Sequence, residues 1–335
     1  MDIDAFVAAH QGEWDRLDQL VRRRSRLTGA EVDELVVLYQ RATTHLSMVR
    51  TSSPDPALIG RLTSTVSRAR GVVTSAPASP SAALARFVLV AFPLAAWRTR
   101  WWTLAVAVSF TAVAAAIGAW VAGDPGVQAA IASPEEIRQL VEVDFEAYYS
   151  SEPAGSFAAR VWTNNAWIAA LSLVFGGLLG LPVLWVMLQN ALNVGISGGL
   201  MASADRLDLF FGLILPHGLL ELTAVFVAAG AGLRLGWTII DPGPRLRGTA
   251  LGEEGRATFT LAIGLLVTLL VSGVVEAFVT PSGLPTAVRI GIGVTVLGAF
   301  LAYVGVLGAR AERLGLDADL GETPSGDGRE VLTSA

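Results

Sequence analysis

The sequence predicts an all-α polytopic membrane protein, with about six transmembrane helices and a helical N-terminal cytoplasmic domain. Three observations carry that reading. Hydrophobic residues make up 53% of the 335-residue chain and charged residues only 16%, whereas soluble domains are about one-quarter charged. Uncharged apolar stretches of roughly the 20 residues needed to cross a hydrocarbon core recur after residue 100. The arginines, finally, are distributed unevenly between the segments that flank those stretches.

The first 75 residues read as a cytoplasmic helical domain. Phe6, Trp14, Leu17 and Val21 recur at helical spacing. Thr28 and Glu31 form a capping box, in which each side chain serves the other's backbone amide, and Asp55 before Pro56 marks a third helix start. Arg22 to Arg24 form a solvated helix face or a contact to anionic lipid. Residues 76–101 hold a Ser/Pro/Ala linker and then "LARFVLVAFPLAAWRTR", broken by Pro93 and flanked by Arg, which reads as a helix lying at the inner membrane surface. No signal peptide is expected, because the start is acidic and lacks an early apolar core.

The transmembrane domain is expected over residues 102–310. Its spans are read at 103–122, 166–188, 258–275 and 290–309, with two less regular ones at 190–204 and 209–229 that are either full crossings or broken helices. Orientation follows from arginine. Residues 1–100 hold thirteen Arg, while the loop 124–160 holds two, Arg138 and Arg160, against seven acids. Both termini are therefore expected in the cytoplasm and loop 124–160 outside, with a short external helix starting at Ser133-Pro134. Trp101, Trp102, Trp120 and Trp162 fit an aromatic belt. The acidic tail 311–335 is expected to be disordered.

Composition excludes several functions. With no cysteine, disulfides, thiolate metal sites and cysteine nucleophiles are absent. No nucleophile and base pair can be assembled from the motifs, so no enzyme is expected, and neither a cofactor nor a nucleic-acid partner.

The ionisable groups at membrane depth are the informative ones. His217 and Glu221 stand four apart and share a helix face. An intramembrane carboxylate costs about 2.5–3.5 kcal/mol on insertion scales, so it turns inward to a partner or a wet cavity. The pair reads as a polar lock between helices, a proton relay, a metal pair or a polar anchor for a partner; without a third ligand no metal is expected. Glu276, near the outer end of the fifth span, either reaches the interface or faces Asn164, Asn165 or Arg289. Asn164 and Asn165 follow Thr163 where the second span would begin, and one of the three is expected to cap that helix. Gln189, Asn190 and Asn193 are expected at the inner turn between the second and third spans. The pairs Gly176/Gly180, Gly195/Gly199 and Gly232/Gly236 have the Gly-x-x-x-Gly spacing that allows close helix packing, and they permit a homodimer without requiring one.

Taken together, Phe157 with Asn164-Asn165, "FGGLLGLP" at 175–182, "LQNALNVG" at 188–195, "LPHGLLELTAVFVAAGAGLRLG" at 215–236 and "VVEAFVTP" at 274–281 resemble the stage II sporulation protein M family of prokaryotic membrane proteins. The resemblance covers roughly residues 85–310. It departs at Ala191, where a glycine is common. It implies that the polar signature falls on Asn164, Asn165, Asn190, His217, Glu221 and Glu276. It also implies a non-enzymatic anchor or scaffold in the cytoplasmic membrane for a cell-envelope complex, with peptidoglycan-remodelling proteins or a MoxR-type AAA ATPase system as partners besides the lipid bilayer. The Arg-only, Gly/Ala-rich composition suggests an actinobacterial source, where members occur outside sporulation. The alternative is a transporter or permease-like protein with a polar path through His217, Glu221 and Glu276.

Overall fold

A computed structural model describes residues 3–24, 27–52, 55–74, 80–147 and 154–318. The chain divides into two compact units, one up to Ser81 and one from Ala82 onward.

The first unit is a three-helix bundle of α1 (Ile3–Arg22), α2 (Gly29–Ser52) and α3 (Pro56–Thr74). Trp14, Leu17 and Leu20 of α1 meet Leu35, Leu38, Leu46 and Val49 of α2 and Leu58, Leu62 and Ala69 of α3 in one core. The helix starts use the expected chemistry. Thr28 N donates to Glu31 Oε2 at 2.9 Å and Glu31 N to Thr28 Oγ1 at 3.4 Å, and the Asp55 carboxylate accepts from Ala57 N at 2.9 Å. These backbone and hydroxyl donors hold the Glu31 carboxyl below its ordinary range. Arg23 of the basic run pairs with Glu31 at 3.2 Å. Inside the bundle, Trp14 Nε1 donates to His45 Nδ1 at 3.2 Å.

The division falls within α4 (Pro80–Arg86), and the second unit continues with a π turn at Phe87–Ala91 and α5 (Phe92–Arg98). Sequence places this segment on the membrane surface; in the structure Phe92, Leu94, Ala95 and Ala96 are buried against Leu261 and Leu265. There is room because Gly264 has no Cβ to strike the Phe92 ring. Then come α6 (Arg100–Gly123), the short α7 (Pro125–Ile131), α8 (Pro134–Gln139) running through a π turn into α9 (Phe145–Ala147), and five long elements: α10 (Ala154–Phe175), α11 (Leu181–Ser203), α12 (Leu207–Ile240), α13 (Arg247–Phe278) and α14 (Thr286–Tyr303). The last continues through a π turn into α15 (Ala309–Arg313). The expected helix at Ser133-Pro134 is α8, with a complete capping box between Ser133 and Glu136.

Five helices, α6, α11, α12, α13 and α14 with its extension, are long and apolar enough to cross a bilayer. Antiparallel to α13, α10 passes through the same layer: Trp162 donates to the Leu266 carbonyl, and Gly176, just past its end, abuts Gly232. Six helices thus form the bundle, all-α among the described residues. At one end, the Asn164 end, α6, α11 and α13 finish and α10, α12 and α14 begin.

Two expected boundaries are corrected. The apolar run 166–188 is not one span, because the chain turns at residues 176–180, where Leu179 (φ 58°) and Gly180 (φ 73°) are left-handed. That turn is itself apolar and packs on Leu233 and Gly236 of α12, so hydropathy cannot reveal it. The expected spans 166–188 and 190–204 become α10 and α11, and Gln189, Asn190 and Asn193 lie inside α11 and not at a turn. The stretch 209–229 belongs to an unbroken 34-residue helix despite Pro216. Residues 75–79, 148–153 and, but for its first eight residues, the tail from 311 lie outside the described residues.

Close glycine contacts set the packing. A Cβ on Gly199 would fall 2.7 Å from the Gly118 carbonyl oxygen, one on Gly195 2.7 Å from Ala114 O, one on Gly236 2.7 Å from Gly180 N, and one on Gly232 would overlap the Ser172 carbonyl. Gly232→Ala must force α10 and α12 apart, and an overpacking cost of about 1–3 kcal/mol is expected. Gly255→Ala, with nothing near its Cβ, is expected to be neutral or slightly stabilising in its helix. Thermal unfolding of both variants in one detergent checks the contrast; equal effects would mean that the close approach is not needed.

A second expectation concerns pH. Burial, then the neighbouring His10 charge, holds the His45 imidazole below its ordinary 6.5, with Arg41 adding to the effect and Glu13 opposing it. A depressed histidine favours the neutral form in the fold. Its stabilisation is complete above 6.5 and is lost as pH falls from there toward the lowered value. Protonated His45 can no longer accept from Trp14. Amide exchange in α1 and α2, corrected for its intrinsic pH dependence, is expected to accelerate below pH 6.5, and less so in His45→Gln.

Candidate functional site

Near the Asn164 end, α10, α12 and α13, with Val194 of α11, line a half-open cavity of about 480 Å³ whose polar lining residues are Arg160, Asn164, Asn165, His217, Glu221 and Glu276. Each helix supplies its residues for a local reason. On α12, the i, i+4 spacing puts His217 and Glu221 on one face, and Gly218 between them leaves space. On α10, Arg160, Asn164 and Asn165 follow one another within two turns. Glu276 comes from the last turns of α13, and Val279 to Pro285 lead back into α14.

His217 is 5% exposed and Glu276 2%. The expected contact between His217 and Glu221 on one helix is not the closest one: His217 Nε2 faces Glu276 Oε1 across the helix interface at 3.6 Å. The other ring nitrogen, Nδ1, lies 3.1 Å from Thr280 Oγ1, and Ser272 Oγ donates to the His217 carbonyl at 3.0 Å. Thr280 is itself fixed, since its carbonyl accepts from Arg289 at 2.5 Å while the same guanidinium donates to Thr286 Oγ1 at 3.1 Å. Arg289 therefore braces the connection and does not pair with Glu276. Glu221 is partly exposed and lines the cavity together with Asn165. Glu276 Oε2 is buried without a hydrogen-bond partner.

Pro216 explains why the helices meet here. It removes one backbone donor, and α14 comes in beside it: a Cβ on Gly293 would fall 2.8 Å from the Leu215 carbonyl. The His217 imidazole turns away from that turn of α12, across to α13 and the following connection.

The other sequence candidates separate from this group. Asn190 donates to Val186 O of its own helix at 2.8 Å and does not line the cavity. Asn164 and Asn165 do not cap α10, which starts at Ala154; Asn165 also donates to Val161 O at 3.1 Å. The six paired glycines serve packing: Gly195 and Gly199 against α6, Gly232 and Gly236 against α10 and its following turn, and Gly176 and Gly180 in that turn. Sequence reasoning missed Thr280, Ser272 and Arg160 as site residues. Only Thr280 left a signal, lying in the "VVEAFVTP" stretch.

Compared with known proteins, residues 106–281, more than half of the chain, match stage II sporulation protein M. The chain belongs to the stage II sporulation protein M family. The polar residues named above as lining the cavity, together with Ser272 and Thr280, fall within that match; Thr286, Arg289 and Gly293 lie beyond it. Residues 4–75 match a domain of unknown function, DUF8413. An uncharacterised protein of Methanocaldococcus jannaschii is 27% identical over 123 residues, covering 36% of this chain and 69% of that protein. No solved structure matches the chain.

One carboxylate oxygen of Glu276 has no hydrogen-bond partner, while the other faces His217. Replacing both members of a buried ionisable pair by apolar residues of similar volume is often neutral or stabilising, whereas removing one alone is destabilising. The double variant His217→Leu with Glu276→Leu is therefore expected to leave the melting temperature of the purified protein unchanged or raised. A loss of more than about 3 kcal/mol in the double variant, the range seen when a buried pair is broken, would make the pair a structural lock.

Proposed function

We propose that this member of the stage II sporulation protein M family is a non-enzymatic platform in the cytoplasmic membrane, holding a partner membrane protein of an envelope complex. The observation that carries this reading is an apolar cleft of about 600 Å³ between α6, α11 and α12, lined by Ala115, Gly118, Ala119, Gly198, Ala202 and Gly218 among others. In lipid the hydrophobic effect does not drive helices together, so association relies on small residues that let backbones approach. A cleft in which these small residues let a backbone approach, beside large apolar ones such as Phe110, Phe211 and Leu222, suits a partner's transmembrane helix. The arginine asymmetry supports cytoplasmic termini, with the Asn164 end outside. Family resemblance favours peptidoglycan-remodelling proteins or a MoxR-type ATPase system as partners.

The polar cavity favours a second reading, a permease-like protein that passes a proton or cation by way of His217, Glu221 and Glu276. Against it, α12 is unbroken where transporters commonly unwind.

A photocrosslinking residue at Ala115 or Ala119, both exposed, is expected to capture a membrane protein in native membranes. Ala115→Leu at the Ala119 probe should reduce that capture by filling the cleft. Lipid adducts alone, together with cation- or proton-coupled uptake in liposomes, would overturn the platform in favour of transport.

A further inference from the structure

The polar cavity holds a third ligand that the sequence did not place. His217, Glu221 and Glu276 each offer one ligand atom, all within 4.8 Å of one another. Two ligands of a tetrahedral ion at about 2.1 Å stand roughly 3.4 Å apart. His217 Nε2 and Glu276 Oε1, at 3.6 Å, already have that spacing. Glu221, on a partly exposed side chain facing the cavity, needs only a rotamer adjustment to close the set.

Beyond the clustering, one buried atom points to a ligand. Glu276 is 2% exposed, and its Oε2 has no hydrogen-bond partner. A buried carboxylate short of donors is costly, and a cation held at Oε1 compensates the charge that the carboxylate shares with its unpartnered Oε2. The imidazole is held as metal-binding histidines are held: Nδ1 meets the Thr280 hydroxyl, and Nε2 faces the carboxylate. A hydroxyl both donates and accepts, so Thr280 keeps its bond whether the ring proton is on Nδ1, which leaves the Nε2 lone pair facing Glu276, or on Nε2.

We propose that His217, Glu221 and Glu276 bind a divalent transition-metal ion in the polar cavity. One imidazole and two carboxylates make a three-ligand set of mixed nitrogen and oxygen donors, suited to Zn²⁺, Mn²⁺ or Co²⁺ more than to Mg²⁺, which keeps its waters. A divalent ion cancels the charge of both acids in a low-dielectric setting. Arg160, which also lines the cavity, brings one positive charge and neutralises one acid at most. The remaining coordination positions open onto the cavity. The sequence expected no metal for want of a third ligand; Glu276, fifty-five positions beyond Glu221, supplies it through the fold. The inference does not depend on the cleft docking a partner, and Glu276→Gln should leave capture at Ala119 unchanged.

The test uses the full chain in detergent, treated with Zn²⁺, Mn²⁺ or Co²⁺ and freed of excess. One ion per chain is expected by elemental analysis. Glu276→Gln and His217→Gln should each weaken binding by about tenfold or more, and Thr280→Val by about tenfold through the ring it orients. Helical content and elution volume report whether each variant folds. The first unit holds a second candidate group, His10, Glu13 and His45, but His45 Nδ1 accepts from the Trp14 indole N–H, a donor only, so the neutral ring keeps its proton on Nε2 and offers a metal no lone pair. His45→Gln is accordingly expected to keep the ion. X-ray absorption on the unmutated zinc-loaded chain needs no variant and should show one imidazole with oxygen donors. No retained ion, retention insensitive to Glu276→Gln, loss in His45→Gln, or two imidazoles in the spectrum would each overturn the assignment.

Discussion

Close approach of α12 to its neighbours is the constraint on which the membrane unit depends. Lipid tails are as apolar as leucine, so burying apolar surface gives no net drive for helix association, and contact must come from dispersion and hydrogen bonds. Along α12, Gly212 meets Thr286 of α14, Gly230 meets Thr103 of α6, Gly232 meets Ser172 of α10, and Gly236 meets the Leu179–Gly180 turn. Each glycine carries a different neighbour. Their order along one rigid helix fixes the relative height of the helices around it, and that height decides which polar groups meet.

The polar cavity follows from this arrangement. Because α10 is pinned to α12 at Ser172 and Gly232, its first turns reach the level of His217 and Glu221. Because α14 presses against Pro216 through Gly293, the α13–α14 connection passes close enough for Thr280 to hold the imidazole. Arg289 then ties that connection down through the Thr280 carbonyl. Polar groups that each carry an insertion cost are gathered where they face one another and away from acyl chains. At the opposite end, Arg234 and Glu254 pair at 2.6 Å where α12 ends and α13 begins, so charge is matched at that level of this helix pair.

Much of the fold was legible in the sequence, and the reason is local. Capping boxes at Thr28 and Ser133 need only four residues, apolar runs announce membrane helices by length, and the spacing of His217 and Glu221 puts them on one face whatever surrounds them. The turn at residues 176–180 was illegible for the opposite reason. Its leucines and glycines are as apolar as the helices they join, and only the packing of Gly236 against it shows why the chain bends there. Thr163, Asn164 and Asn165 looked like caps because the amino-terminal turns of α10, "AGSFAARVW", carry a weak apolar signal. With the helix start moved to Ala154, the same residues become wall residues of the cavity or, for Thr163, a bond back to Ala159 O.

The contacts of the site itself lie on a longer scale than any motif. His217 was expected to meet the acid four residues on, but an imidazole that leaves α12 toward α13 finds Glu276 and Thr280, both about sixty positions away in sequence. Partnership there is decided by the depth at which each residue sits, and depth is a property of the assembled helices. Asn190 illustrates the converse. It belongs to the same polar signature, yet α11 packs on α6 through Gly195 and Gly199, and the Asn190 amide, not among the cavity's lining residues, turns back to the Val186 carbonyl. Its hydrogen bond satisfies a polar group on its own helix and brings nothing to the shared cavity. Of the polar residues that the family resemblance marks, those contributed by α10, α12 and α13 therefore form one chemical unit, and the one contributed by α11 stands apart from it.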